Sequence, residues 1–137
     1  MLDLQQIHTN LIDSSCIAQK VLATVISYYP RRGAGGVDEA LCDAGGIAMS
    51  KDTGPIKGYG RVNGGTWSLE SVSQEHGILA QMSGGDSGSI QIGDKVEIIG
   101  QHACMIAAAH PWYYIIDSST AEGAGRVVDV WVPCKGW

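Results

Sequence analysis

A histidine and a cysteine stand two positions apart at His102 and Cys104, shortly after the mainly apolar segment Val96–Ile99. In an extended segment, residues i and i+2 point to the same face, so this spacing could direct an imidazole nitrogen and a thiolate at one cation. Nitrogen and sulfur ligands suit zinc better than magnesium, calcium or manganese. A structural zinc site normally takes four protein ligands. A metal held by these two residues alone would therefore keep positions open for water or substrate, as a catalytic metal does.

Two other interpretations of the pair stay open. Cys104 could be a small buried hydrophobe beside a hydrogen-bonded histidine, which is a frequent role for a free cysteine. It could also be a nucleophile activated by His102 or His76, although no third residue that would orient the histidine is evident from the sequence. Protection of the thiol by zinc would distinguish a ligand from a nucleophile.

The elements that must position these residues are short β-prone runs separated by glycine-rich turns. Runs rich in β-branched and aromatic residues predict strands at Val21–Tyr29, Leu41–Ala44, Trp67–Ser73, Lys95–Ile99, Trp112–Ile116 and Val127–Val132. Turns are predicted at Gly33–Gly36, Gly64–Gly65, Gly84–Gly88 and Glu122–Gly125. Only Ile7–Gln19 and Met105–Ala109 could be helical. Many short strands at fairly regular spacing predict a mainly β barrel or sandwich with one or two short helices.

Composition narrows the classes of partner. A chain of 137 residues can bury a real core as one domain. Its formal net charge of −5 and the lack of a basic cluster argue against nucleic acid and anionic membrane as partners. The apolar runs are too short to cross a bilayer, and the first residues lack the pattern of a signal peptide. We therefore expect a soluble, cytoplasmic protein.

Several short phrases follow one another in a specific order. They are Asp43–Gly45, Ala48–Asp52, Gly58–Gly60, Ser73–Gly77, Gly93–Val96, His102–Cys104, and Trp131 with the closing Lys135–Trp137. This succession, from about Val21 to Trp137, resembles the C-terminal β-domain of the D-serine dehydratase and D-threonine aldolase family. Those enzymes are fold-type III pyridoxal-phosphate proteins that combine an alanine-racemase-like barrel with this β-domain. The resemblance implies an alanine-racemase C-terminal-like barrel or sandwich.

The resemblance also implies a chemistry. In that family the His-x-Cys pair holds a catalytic zinc beside the pyridoxal phosphate, and it falls here on His102 and Cys104. Aldolase members tend to carry aspartate at the second position with a harder ion, so Cys104 favours the dehydratase branch. The implied reaction converts D-serine to pyruvate and ammonia, with the cofactor as electron sink and zinc assisting loss of the β-hydroxyl. Both residues would be ligands, and no catalytic acid or base is predicted in this chain.

Three further residues are candidates for supporting or substrate-facing roles. Glu75 and His76 lie in the phrase Ser73–Gly77 and could orient a zinc ligand or touch substrate, or they could form a polar turn between strands. Tyr59 could approach the cofactor phosphate from a partner subunit, or it could be a strand-end aromatic. Asp52 is expected in a turn or a cap. Gly100 stands where the family pattern has proline, and we expect it to loosen the approach to the pair.

One departure from the family pattern is large. The family places its cofactor lysine and catalytic barrel N-terminal to this domain, and none of the five lysines here matches that lysine. The opening Asp3–Ile7 looks like the family's exit from the barrel. We therefore expect residues 1–19 to be a remnant of that exit and 20–137 to be the β-domain. The missing barrel is the expected partner domain, and we expect the full-length protein to be a homodimer. We also expect this chain to be inactive alone. Alternatives are a D-threonine aldolase-type retro-aldol lyase domain or a free-standing metal-binding or interaction module.

Overall fold

The computed structural model describes residues 1–82, 90–117 and 125–134. The chain divides into two compact units, Met1–Ile106 and Ala107–Trp137. The predicted turn at Gly84–Gly88, the first three residues of the turn at Glu122–Gly125 and the closing phrase Lys135–Trp137 lie outside the described residues.

The first unit is built on a closed six-stranded antiparallel barrel with the strand order β1-β2-β5-β4-β3-β6. Its strands are β1 Val21–Tyr29, β2 Glu39–Cys42, β3 Gly60–Val62, β4 Trp67–Val72, β5 Gly77–Gln81 and β6 Lys95–Gly100. The barrel closes where β6 pairs with both β1 and β3. The mainly β barrel that the sequence predicted is thus confirmed.

Short helices accompany the barrel. They are α1 Leu4–His8, α2 Gly46–Met49 and α3 Ala103–Ala109, with 3-10 turns at Ser14–Cys16 and Ala34–Gly36. The α3 helix follows β6 and runs across the boundary between the two units. No helix among the described residues is long and apolar enough to span a membrane.

Alternation of side chains along the strands builds the core. In β1, Val21, Ala23 and Val25 are buried, whereas Leu22 is exposed, as expected for a strand with one face toward a core. The buried core comprises Val21, Ala23, Val25, Ala40, Cys42, Ala44, Met49, Trp67, Leu69, Leu79, Val96, Ile98 and Ile106. The barrel is therefore filled by side chains, with Ile106 of α3 as one of them.

A second, smaller cluster lies on β6. Leu4 and Ile17 pack with Ile99, whereas the neighbouring Ile98 belongs to the barrel core. Because adjacent residues of a strand point to opposite faces, the N-terminal segment covers the outer face of β6. This packing places α1 beside the strand that leads to His102.

The long helix predicted over Ile7–Gln19 is wrong. The α1 helix begins earlier, at Leu4, because Asp3 and Gln6 form a capping box around its first turn. It ends after His8, and Asn10 follows with a φ of 57°, a left-handed conformation that stops a helix. Beyond it, Asp13 caps only a single 3-10 turn through the backbone N–H of Ser15.

The predicted strands agree closely with the observed ones. The bounds of β1 are those predicted, and the five other predicted strands are observed with ends shifted by one or two residues. The short strands β3 and β5 and the helix α2 were not predicted, because segments of three to five residues rich in glycine carry little periodicity. The predicted turns at Gly33–Gly36 and Gly64–Gly65 are confirmed, and Gly35 and Gly64 have φ angles of 76° and 64°.

The second unit contains a two-stranded antiparallel hairpin. Its strands are β7 Tyr113–Ile116 and β8 Val127–Trp131, with Tyr113 opposite Trp131. The Tyr113 hydroxyl donates a hydrogen bond to the Ala107 carbonyl at 2.7 Å. Large apolar side chains are exposed on this hairpin, namely those of Tyr114, Ile116, Val127, Val128, Val130 and Trp131.

Candidate functional site

The turn between β6 and α3 carries both predicted ligands. β6 ends at Gly100, His102 stands between the two elements, and Cys104 is the second residue of α3. The extended conformation that the spacing assumed is therefore wrong for this segment, since the helix begins at Ala103. Because residues two apart on a helix do not share a face, the strand-to-helix turn, and not strand alternation, decides where the two side chains point.

The imidazole of His102 is held by a carboxylate from another part of the chain. Its Nδ1 is in hydrogen-bond contact with Oδ2 of Asp52, and both side chains are partly exposed. Asp52 lies just after α2, where Ser50 adopts a φ of 61° and its hydroxyl accepts a hydrogen bond from the Asp52 N–H at 3.3 Å. When Nδ1 carries the proton and donates it to Asp52, the lone pair on Nε2 is left for a cation.

Cys104 is a free, exposed cysteine, so its interpretation as a buried core residue is wrong. Cys42 fills that structural role instead: it is fully buried in the barrel, and burial raises the pKa of its thiol. An exposed thiol two positions after a carboxylate-bound imidazole supplies the sulfur and nitrogen donor types that suit a soft metal ion.

A second carboxylate holds the backbone of the same turn. Oδ2 of Asp3 accepts a hydrogen bond from the Ala103 N–H at 2.7 Å, and its other oxygen accepts one from the Gln5 N–H at 3.0 Å. Asp3 is only 2% exposed. Ala103 is the residue between His102 and Cys104, so this contact fixes the point at which the helix begins.

Gln101 connects the turn to the loop before β3. Its side chain is 1% exposed, and its Nε2 donates to the carbonyls of Ile56 at 3.1 Å and Gly58 at 2.9 Å. Its backbone N–H donates to the carbonyl of Tyr59 at 3.3 Å. The structure thus brings the backbone of Tyr59 to the turn, while the Tyr59 side chain packs, partly buried, against the barrel core.

Gly54 and Gly100 permit close packing around this turn. A Cβ on Gly54 would lie 2.6 Å from Oε1 of Gln101 and 3.3 Å from Nδ1 of His8. A Cβ on Gly100 would lie 2.1 Å from Cδ1 of Ile106. Gly100 therefore makes room for the Ile106 side chain of α3, a packing role that the sequence did not predict.

Glu75 and His76 occupy a turn between β4 and β5. The Ser73 N–H donates to the His76 carbonyl at 2.8 Å, and the His76 N–H donates to the Ser73 hydroxyl at 3.3 Å. A Cβ on Gly45 would lie 2.5 Å from the backbone of both residues, so glycine there lets this turn approach α2 closely. Among the described residues, no hydrogen bond joins Glu75 or His76 to His102 or Cys104.

The described residues contain no group of three or more His, Cys, Asp or Glu side chains that could together hold a metal ion. The candidate donors at the turn are His102 and Cys104, with Asp52 in contact with the histidine. Sequence reasoning missed Asp3 and assigned Asp52 only to a turn or cap. The phrase Ala48–Asp52 was a signal that Asp52 belongs to the site, whereas no local pattern indicated a role for Asp3.

Comparisons with known proteins agree with this architecture. A family model described as "Putative serine dehydratase domain" matches residues 18–116. The D-serine dehydratase of Schizosaccharomyces pombe is 40% identical over 141 residues, covering 100% of this chain and 32% of that protein. The crystal structure of an Ala racemase-like protein from Idiomarina loihiensis superposes with a TM-score of 0.79 at 28% identity, covering 100% of this chain and 37% of that one.

A further structural relative is D-threo-3-hydroxyaspartate dehydratase from Delftia sp. HT23. It superposes with a TM-score of 0.78 at 30% identity, and the match covers 100% of this chain and 37% of that one. The same enzyme has been solved as a histidine-to-alanine variant and as a cysteine-to-alanine variant two positions further on, the latter in a metal-free form. This chain spans about a third of the length of the relatives that it matches.

Proposed function

The chain belongs to the family of serine dehydratase domains, and from that premise we propose that it is the zinc-binding domain of a pyridoxal-phosphate-dependent D-amino acid lyase. The proposed reaction of the whole enzyme converts D-serine to pyruvate and ammonia. The observation that carries the proposal is the turn after β6, where a carboxylate-bound His102 and the exposed thiol of Cys104 stand two positions apart.

His102 and Cys104 would bind the metal through Nε2 and the thiolate. When bound, zinc supplies a Lewis acid for a departing hydroxyl group, and pyridoxal phosphate supplies an electron sink. Asp52 holds the imidazole so that Nε2 stays available. Neither ligand is left to act as a proton donor or acceptor, so the role of this domain is to bind and orient.

The relatives support this assignment. The dehydratase from Delftia has been solved with a histidine replaced by alanine and, separately, with a cysteine two positions further on replaced by alanine, the cysteine variant in the metal-free form. The same spacing separates His102 and Cys104 here. An aspartate at the second position would favour a harder ion, so the cysteine favours zinc.

Tyr59, Glu75 and His76 are proposed as supporting or substrate-facing residues. The backbone of Tyr59 lies at the ligand turn, because its carbonyl accepts a hydrogen bond from the N–H of Gln101. Glu75 and His76 would act from the β4–β5 turn, which the N-terminus of α2 contacts through the carbonyls of Ser73 and Gln74.

The remainder of the enzyme is proposed to lie in a separate barrel domain. Residues 1–19 would be the exit from that barrel and 20–137 the β-domain, and the cofactor lysine would belong to the barrel. The short span of this chain relative to its relatives supports this division. We further propose that the whole enzyme is cytoplasmic and forms a homodimer. The exposed apolar side chains of the β7–β8 hairpin support the dimer, since such a surface favours association. The isolated chain is then expected to lack lyase activity.

Zinc content and zinc affinity of the purified chain test this function, measured by elemental analysis and titration. Wild-type protein should hold zinc near one equivalent, and both His102→Ala and Cys104→Ala should lose it. Cys16→Ala is the matched control, because Cys16 is also a free and exposed cysteine. Zinc that stays bound in both His102→Ala and Cys104→Ala would contradict the proposal. So would a wild-type chain that binds no zinc either alone or together with the barrel of a relative.

A further inference from the structure

We propose that Asp3 and Asp52 are positioning residues for the His102–Cys104 turn, one acting on its backbone and the other on its imidazole. This inference rests on the proposed function, since it concerns the residues proposed to hold the metal. Neither carboxylate is itself a member of the two-residue donor set.

Asp3 serves the beginnings of two helices with one carboxylate. It is the N-cap of α1, where it accepts the Gln5 N–H, and it also accepts the Ala103 N–H at the first residue of α3. A hydrogen bond to an ionised carboxylate is roughly twice as strong as one between neutral groups. Ala103 is only 3% exposed, so water reaches its N–H poorly. If the Asp3 carboxylate were removed, this N–H would be left without a hydrogen-bond acceptor, which is costly for a buried donor.

The position of Asp3 is itself fixed by packing. Its own N–H donates to Oε1 of Gln6 at 2.9 Å, which completes the capping box of α1. The next residue, Leu4, is buried against Ile17 and Ile99 on the outer face of β6. The docking of α1 on β6 therefore sets the position of the Asp3 carboxylate, which binds the ligand turn 100 residues further along the chain.

Asp52 acts on the other component of the turn. The terminal torsion of a histidine side chain is broad, so the direction of Nε2 depends on what Nδ1 contacts. Here Nδ1 meets the Asp52 carboxylate across a separation of 50 residues. A carboxylate on the far nitrogen fixes both the tautomer and the ring orientation of a metal-binding histidine.

The test measures the turn both without and with a metal. In metal-free protein, the ring-nitrogen NMR shifts of His102 report its tautomer, and the amide shift and hydrogen exchange of Ala103 report the bond to Asp3. Titration with Co²⁺ then reports the bond from the metal to Cys104 through the thiolate charge-transfer absorption. Each measurement is made on Asp3→Asn, Asp3→Ala, Asp52→Asn and Asp52→Ala.

We expect Asp52→Ala to change the tautomer distribution of His102, and Asp3→Ala to speed exchange at Ala103. Substitutions in such supporting groups weaken metal binding about 10- to 100-fold. We expect losses in that range for both alanine variants and smaller ones for both asparagine variants, which keep an acceptor oxygen. The matched control is Asp13→Asn, since Asp13 also accepts a backbone N–H two residues on, at 3.0 Å, but caps only the 3-10 turn.

The outcomes separate the two proposals. If wild-type protein binds Co²⁺ and the Asp3 and Asp52 variants bind it equally well, with an unchanged spectrum, the positioning inference is overturned. A merely stabilising role would lower the melting temperature of these variants and leave the His102 shifts and the Co²⁺ spectrum unchanged, which also overturns it. If wild-type protein binds no Co²⁺ either alone or with the barrel of a relative, the metal proposal fails, while the metal-free NMR measurements still decide whether the carboxylates position the turn.

Discussion

Replacing Gly100 with alanine should destabilise the barrel, and the structure identifies the atom responsible. The new Cβ would lie 2.1 Å from Cδ1 of Ile106, far inside ordinary van der Waals contact. Ile106 is 3% exposed and belongs to the barrel core, so its methyl group has no solvent to move into. Overpacking of this kind costs about 1–3 kcal/mol, and the free energy of unfolding should fall by that amount.

A second substitution should relieve the clash. Ile106→Val deletes Cδ1, and the remaining Cγ1 would lie 3.5 Å from the new Cβ, which is an ordinary contact. Cε of Met49, at 3.3 Å, is the flexible end of its side chain and can shift. Ile106→Val alone should cost about 0.5–1.5 kcal/mol. The double variant should lose less than the sum of the two single losses, with a coupling energy of about 1 kcal/mol or more.

Equilibrium unfolding in urea measures all four proteins of this cycle, provided that the slope with denaturant stays the same among them. Gly65→Ala is the control glycine, because the nearest atom to its new Cβ would be Cγ1 of Val62, at 3.3 Å, so that no atom lies as close as Cδ1 of Ile106 does at Gly100. The loss from Gly65→Ala should simply add to that of Ile106→Val. Additivity of Gly100→Ala and Ile106→Val would refute the conclusion that Gly100 makes room for α3.

Two further predictions concern reactivity and pH. Iodoacetamide should label exposed Cys104 in the native protein and spare Cys42, where burial raises the pKa of the thiol; zinc should protect Cys104, whereas fast labelling indifferent to zinc would favour a nucleophile. The hydrogen bond that the Lys20 ammonium donates to Glu97, at 2.7 Å, is the main cause that lowers the pKa of this carboxyl below its usual range. Because the folded-state pKa is depressed, the stabilisation is present above the unfolded pKa and is lost as the pH falls through the folded one. Glu97→Gln should therefore have a lower free energy of unfolding in urea than wild type at neutral pH, and this difference should vanish in acid. A difference that persists in acid would contradict the assignment to Glu97.

Local patterns predicted much of the barrel because its strands carry their own signals. The first five positions of β1 alternate buried residues with more accessible ones, and Pro30 follows the strand directly. The same approach wrongly predicted a helix over Ile7–Gln19, because this segment contains neither proline nor glycine to interrupt a helix. The capping box at Asp3 and the left-handed Asn10 limit it to one short turn.

The residue types at the candidate site were also open to prediction, but their geometry was not. His102 and Cys104 were recognisable from side-chain chemistry and spacing, yet the assumed extended conformation is replaced by a helix that begins at Ala103. Nothing near Gly100 in sequence indicates that its missing Cβ accommodates Ile106 from the following helix. Such close approaches depend on how α3 folds back onto β6.

The sequence by itself therefore determined four of the six barrel strands (β1, β2, β4 and β6) and the candidate pair of soft donors, because both depend on residues that are neighbours along the chain. Only the tertiary structure decided what supports that pair. The Asp52 contact to His102 spans 50 residues and the Asp3 contact to Ala103 spans 100, and no local periodicity encodes a partner so distant. Barrel closure through β6 and the docking of α1 on its outer face bring these carboxylates to one turn, since burial of apolar side chains, and not chain proximity, selects which segments meet.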